Sequence, residues 1–128
     1  MGKCAFSIKL LTFFANRTKE VKEEIEGTDT SIQFDIEGEK AFNIKIADGK
    51  LVMSNGRLTE PSATIKSKAE VFFKVMTQKI DPEEAFTKGK YVIEGSIIDA
   101  IRFRRIGDVT MKAHKRIFAL LSRLAKVA

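Results

Sequence analysis

Residues 79–103 read KIDPEEAFTKGKYVIEGSIIDAIRF, and each change of pattern within them has a chemical reason. Asp81-Pro82-Glu83-Glu84 is a helix start. Asp81 can cap, Pro82 suits the first helical position, where no N–H donor is needed, and Glu84 is spaced to cap back. Phe86 anchors that turn and Gly89 ends it. Lys90 to Glu94 then reads as a strand with Tyr91 and Ile93 inward, since side chains two apart share one face of a pleated chain. After Gly95, Ser96 is placed to cap a second helix carrying Ile97, Ile98 and Ile101.

Downstream, from about residue 110 to 127, the spacing predicts an amphipathic helix. At 100° per residue Ile117, Phe118, Leu121, Leu124 and Ala125 fall on one side, and Lys112, Lys115, Arg116, Arg123 and Lys126 on the other. Residues 102–128 hold eight Lys or Arg against Asp108 alone, while the remaining 101 residues hold 15 basic and 16 acidic groups. The net charge of +6 therefore belongs to the C-terminal segment. Its basic face admits three readings: a solvated surface, contact with an anionic ligand or membrane, or nucleic acid. The absence of Trp and the placement of the single Tyr in a strand argue against nucleic acid, which needs stacking partners near the charges.

Upstream, Phe6, Leu10, Phe13, Phe14, Val21 and Ile25 recur at three- and four-residue steps, predicting one helix over 5–26 that Gly27 stops. The period then falls to two. Ile32, Phe34 and Ile36 form one half-buried strand, Phe42, Ile44 and Ile46 a second, and Leu51 and Met53 face inward from a third. Asp48-Gly49 is a strong two-residue hairpin signal, and Ala63-Thr64-Ile65-Lys66 completes an expected antiparallel meander. Helical spacing returns over 69–78, with Val71, Phe72, Val75 and Met76 on one face.

The segment 79–103 resembles the signature of the sterol carrier protein two (nonspecific lipid-transfer) family. The matching residues are Asp81, Pro82, Ala85, Phe86, Gly89, Lys90, Ile93, Gly95 and Ala100. The strands IQFDIEG and FNIKIADGKL fit the same pattern, so the resemblance covers about residues 5–106. Ile98-Asp99 and the arginines at 102, 104 and 105 depart from it. The resemblance implies an α+β fold: a five-stranded, mostly antiparallel curved sheet with helices packed on one face, making one domain over residues 1–128. It implies an apolar tunnel for a sterol, fatty acid or fatty acyl-CoA, and binding and transfer without chemistry.

On that expectation Phe34, Ile36, Phe42 and Ile44 of the sheet, Phe72, Val75 and Met76 of the middle helix, and Ile97, Ile101, Phe118 and Leu121 of the later helices line the cavity. The last helix is its lid. Arg102, Arg104 and Arg105 are candidates for a charged head group, or cations favoured near a helix C-terminus. Lys112, Lys115 and Arg116 are candidates for an anionic membrane surface. Each apolar position also has a plain reading as ordinary core, and an accessory subunit with a filled core remains an alternative function.

Composition bounds the rest. At 128 residues, 44% hydrophobic and 31% charged, the chain suits one globular domain with a real core. No stretch approaches the roughly 18 to 20 apolar residues of a membrane span. One cysteine, Cys4, can form no internal disulfide, and with no signal peptide expected over residues 4–15 a cytoplasmic setting follows, leaving the Asn16-Arg17-Thr18 sequon without a role. No catalytic residue, metal or cofactor is expected. The lone His114 falls on the apolar side of the last helix as a partnered core residue, and no phosphate-binding glycine loop occurs.

Overall fold

The computed structural model describes residues 2–127, apart from the side chains of residues 121, 122 and 124–127. Two helices, α1 (Lys3–Ala15) and α2 (Lys19–Glu24), precede four strands, β1 (Thr30–Glu37), β2 (Phe42–Ala47), β3 (Lys50–Asn55) and β4 (Ala63–Lys68). Then come α3 (Ala69–Met76), α4 (Pro82–Thr87), β5 (Tyr91–Gly95), α5 (Ile97–Ala113) and α6 (Lys115–Val127). The five strands form one mixed, mostly antiparallel sheet of order β3-β2-β1-β4-β5.

Alternation dictates the core. Ile32, Phe34 and Ile36 of β1, Phe42, Ile44 and Ile46 of β2, Leu51 of β3 and Ile65 of β4 are all buried under the helical layer. Registers Ile32↔Ile44 and Phe34↔Phe42 place the rows side by side, and the Phe34 and Phe42 rings stack at 4.9 Å. Asp48 (φ 53°) and Gly49 (φ 73°) form the tight turn between β2 and β3 that the dipeptide predicts. From the helices, Ile8 and Leu11 of α1, Phe72 and Phe73 of α3, and Phe103 and Ile106 of α5 complete the core.

Several sequence expectations are corrected here. The helix expected over 5–26 is two: Asn16 ends α1 with its side chain bonded to the main chain of Leu51, and Thr18, in an extended conformation, separates it from α2. β4 does not extend the meander. It pairs parallel with β1, in the register Phe34↔Ile65. The connection after β3 crosses the outer sheet face to reach β1, held by two buried amides: Gln33 Nε2 and Asn43 Nδ2 donate to the Gly56 carbonyl at 3.3 and 3.2 Å, and Gln33 Oε1 accepts from Leu58 N–H at 2.9 Å.

α4 begins as expected, with Asp81 accepting from Glu83 N–H at 3.1 Å. Glu84 does not cap back; its carboxylate pairs with Lys88 one turn on, at 2.6 Å. Ser96 caps α5 by accepting from Asp99 N–H. α5 is longer than expected, running through Gly107 to Ala113, and the break falls at His114 (φ −125°, ψ 46°), whose Nε2 lies 3.1 Å from Thr18 Oγ1. Gly107 faces Leu11, which lets α5 approach α1.

Candidate functional site

The side chains assigned to a cavity from sequence divide into three groups. Phe34, Ile36, Phe42, Ile44 and Phe72 are core. The Phe34 ring meets Phe42 in a stack, Phe72 edge-on at 5.8 Å and Phe103 edge-on at 5.4 Å, geometries that aromatic quadrupoles favour in a close-packed interior. Met76 and Phe118 form a second group, buried themselves yet bordering a cleft of about 490 Å³ between the end of α3, the end of α5 and the start of α6. Val75 beside them is half-buried. Leu121 lies outside the described residues.

Ile97 and Ile101 form the third group, and they do not face the core: they are 51% and 47% exposed. The buried face of α5 is instead Ala100, Phe103, Ile106, Gly107 and Thr110. Asp99 fixes that phase, since its carboxylate accepts from Thr30 Oγ1 at 2.8 Å and so turns Ala100 and Phe103 toward the sheet. Ile97 and Ile101 line a groove of about 310 Å³ with Phe86, Tyr91 and Ile93. Tyr91 links this groove to the core by stacking on Phe72 at 6.4 Å. A row of apolar groups therefore runs from the groove through Tyr91 and Phe72 to Met76, one turn along α3, and the cleft.

Sequence reasoning missed Phe103 and Met111. Phe103 belongs to the 100, 103, 107, 110 spacing, a legible signal hidden by the more hydrophobic run Ile97, Ile98 and Ile101. Met111 borders the cleft with Met76, and only the position of the helix break could have placed it there.

The cationic candidates also separate. Arg102 pairs with Asp99 at 3.3 Å, Arg104 with Glu83 at 3.4 Å and Asp108 at 4.0 Å, and Arg105 with Glu24 at 2.7 Å. These three serve the fold's own acids. Lys112, Lys115 and Arg116 are exposed, and the two lysines border the cleft beside Met76, Met111 and Phe118. The cleft thus has an apolar floor and a polar rim in which the two lysines outnumber one acid, Asp108. A larger crevice of about 750 Å³ at the carboxyl ends of β1 and β4 combines apolar groups, Ile36, Val71, Ile80 and Val92, with a charged edge that includes Asp35, Glu37, Arg57, Lys66, Lys68 and Lys90.

The nucleophilic groups are quiet. Cys4 is fully buried, and burial, followed by the hydrogen bond and charge of Glu39, pushes its thiol well above the usual range. Burial raises the Tyr91 phenol to about 12. His114 is held between Thr18 and the Phe14 ring, whose centroid is 4.7 Å away, at the corner of two helices rather than within the last one. Among the described residues, no three His, Cys, Asp or Glu side chains gather as metal ligands, and no helix is long and apolar enough to cross a membrane.

A five-stranded sheet backed on one face by helices, with apolar clefts along the helix seam, defines a sterol-carrier-like α+β domain. Residues 10–115 match the SCP-2 sterol transfer family, and the chain belongs to that family. Over 57 residues the chain is 39% identical to the peroxisomal multifunctional enzyme A of Dictyostelium discoideum, a match spanning 44% of this chain and 13% of that protein. The solution structure of the sterol carrier protein domain 2 of Helicoverpa armigera superposes with a TM-score of 0.66 at 20% identity, covering 80% of this chain and 83% of that one. The Aedes aegypti sterol carrier protein 2 in complex with palmitate gives a TM-score of 0.50 at 17% identity, covering 73% and 93%.

Proposed function

We propose that this chain binds a lipid-like ligand, a sterol, fatty acid or fatty acyl-CoA, and transfers it without chemistry. The observation that carries the reading is the cleft where Met76, Met111 and Phe118 meet beneath Lys112 and Lys115. Family membership adds support, as does the palmitate held by the Aedes aegypti relative. Each methylene taken from water into such a site gains about 0.8 kcal/mol, whereas exchange with a bilayer moves the tail between two apolar phases. Reversible transfer follows from that near balance.

In this reading the tail enters between α3 and α6 and runs along the apolar row toward Tyr91, displacing Phe72 and Phe103 from Phe34. α6 acts as the lid, turning about His114. Phe34, Ile36, Phe42, Ile44, Phe72, Val75, Met76, Ile97, Ile101 and Phe118 line the opened path, and Leu121 joins them as part of the lid. Lys112, Lys115 and Arg116 meet the anionic head group or a membrane surface, while a cytoplasmic setting rests on the lone buried thiol of Cys4.

The test is native mass spectrometry of the purified chain before and after solvent extraction, with titration by a fluorescent fatty acid. Saturable binding, displaced by palmitate and weakened in Met76→Glu, is expected. No extracted lipid and no saturable signal would end the proposal. The close packing of Phe34 on Phe42, Phe72 and Phe103 favours a second reading, an accessory subunit that keeps the fold with a filled core. That reading predicts no uptake and a stable protein partner.

A further inference from the structure

Nine large apolar side chains stand exposed among the described residues, and five of them, Phe86, Val92, Ile97, Ile98 and Ile101, belong to α4, β5 and the first turns of α5. They gather at one edge of the sheet, where β5 is the last strand. The two edges are treated differently. At the other, the Asn16 amide bonds both the N–H and the C=O of Leu51 at 2.8 Å, standing where a further strand would pair with β3.

The outward groups of β5 follow from the ladder. Ser96 N–H donates to the Ser62 carbonyl at 2.8 Å, and the register runs Ala63↔Gly95, Thr64↔Glu94, Ile65↔Ile93 and Lys66↔Val92. Hydrogen-bonded and non-bonded pairs alternate in an antiparallel ladder, so Val92 and Glu94 aim their backbone groups at β4, and Tyr91, Ile93 and Gly95 aim theirs outward. Those outward donors and acceptors are a template for another strand.

We propose that β5 pairs antiparallel with β5 of a second copy of this chain, about a twofold axis at Val92. The sequence Lys90-Tyr91-Val92-Ile93-Glu94 is self-complementary in that register. Val92 faces its own counterpart, Tyr91 faces Ile93 of the second copy through outward backbone groups, and Lys90 faces Glu94 of the second copy. Opposite charges directly across a strand pair stabilise it, and like charges repel. Glu94 already holds Lys66 at 3.0 Å through one oxygen and keeps the other for Lys90. An axis one residue on, at Ile93, would set Val92 against a carboxylate and lose both ion pairs. An axis of this kind runs perpendicular to the sheet, so both helical layers lie on the same side. The groove lined by Phe86, Ile97 and Ile101 in each copy then opens onto the shared seam, which accounts for apolar exposure concentrated at this edge.

Sedimentation velocity over a concentration series, combined with cysteine cross-linking, tests this. Val92→Cys puts two thiols at the axis, and Val52→Cys on β3 is a control of similar exposure, 52% against 41% for Val92. Cys4, at 0% exposure, does not compete. The expected result is a monomer–dimer equilibrium in the unaltered chain and rapid covalent dimerisation of Val92→Cys but not Val52→Cys under mild oxidation. Lys90→Glu should weaken the dimer, and Lys90→Glu combined with Glu94→Lys should restore it. A chain that sediments as a monomer at every soluble concentration overturns the proposal, and so does a dimer in which the two cysteine variants cross-link at equal rates. Sedimentation of the unaltered chain decides the point even if a variant folds poorly.

Discussion

The side-chain amide of Asn16 makes two 2.8 Å hydrogen bonds to one residue, donating to the carbonyl of Leu51 and accepting from its N–H. It ends α1, turns the chain into α2 and closes the β3 edge with a single group. Asn16→Ala leaves the Leu51 main chain unpaired beside a buried side chain, a loss of about 1–3 kcal/mol. Asn16→Asp keeps the acceptor and loses the donor, so its cost should fall between. Urea denaturation measures both, and an unchanged midpoint in Asn16→Ala would show that water replaces the amide without loss.

A similar economy operates at the start of the chain. Glu39, in the turn between β1 and β2, accepts from the N–H groups of Cys4 and Ala5, each at 3.0 Å, and so caps α1 from a distant loop. Glu39→Ala should cost about 0.5–2 kcal/mol, the usual range for a lost cap. A Cβ added at Gly2 would overlap the Glu39 side chain, so Gly2→Ala should displace that carboxylate and destabilise in the same direction. In the double variant the two losses should be much less than additive, because both remove one interaction. Fully additive melting shifts would refute the shared cause.

These two contacts mark where sequence reading stops. Local chemistry made the Asp81 and Ser96 caps, the Asp48-Gly49 turn and the alternating rows of β1 and β2 legible, because each depends on residues a few positions apart. Asn16 and Glu39 act on partners 35 residues away and carry no local signature. The parallel pairing of β4 with β1 was hidden for the same reason: Gln33 and Asn43 read as outward polar residues, yet they are buried beneath the crossing loop they hold. At the candidate site, Met76 and Phe118 were readable as apolar faces of their helices. Ile97 and Ile101 were equally apolar, but their place on an outer groove rather than in the core was not readable, because hydrophobicity does not fix a helix's rotation when Asp99 bonds Thr30 across to the sheet.

Gly107 sits mid-helix with its open side toward Leu11, where an added Cβ would lie 3.7 Å from Leu11 Cδ2, an ordinary van der Waals distance. Two effects then oppose each other with known sizes. Gly107→Ala should stabilise by about 0.5–1 kcal/mol through helix propensity. Gly107→Leu should force α1 and α5 apart at about 1–3 kcal/mol. Thermal denaturation separates the two, and a destabilising alanine would mean that the seam is tighter than its geometry.

Tyr91 gives a clean alkaline readout because it is the chain's one tyrosine. Burial raises its phenol from 10 to about 12, so the folded state holds the proton more tightly than the unfolded chain. That contribution is fully present below pH 10 and is lost as pH rises from about 10 to about 12. Phenolate absorbance should therefore rise late in the folded protein and earlier in urea. Tyr91→Phe should lose less stability than the unaltered chain across that interval. Ionisation of folded Tyr91 near pH 10 would show that the phenol is open to water.

The basic residues make opposite predictions according to their partners. Arg102, Arg104 and Arg105 are engaged with Asp99, Glu83, Asp108 and Glu24, and removing them exposes those acids as well as deleting cations. Lys112 in the last turn of α5 and Lys115 and Arg116 at the start of α6 are exposed, the two lysines beside the cleft. Each cation near an anionic bilayer contributes about 1 kcal/mol, so replacing all three by alanine should weaken cosedimentation with phosphatidylserine vesicles by roughly a hundredfold at low salt. The difference should shrink as salt shortens the screening length. Binding to neutral phosphatidylcholine vesicles should be weak and unaffected by the change. If the unaltered chain bound both vesicles equally, the α6 start would be an ordinary solvated surface, and ligand exchange would have to proceed through free solution.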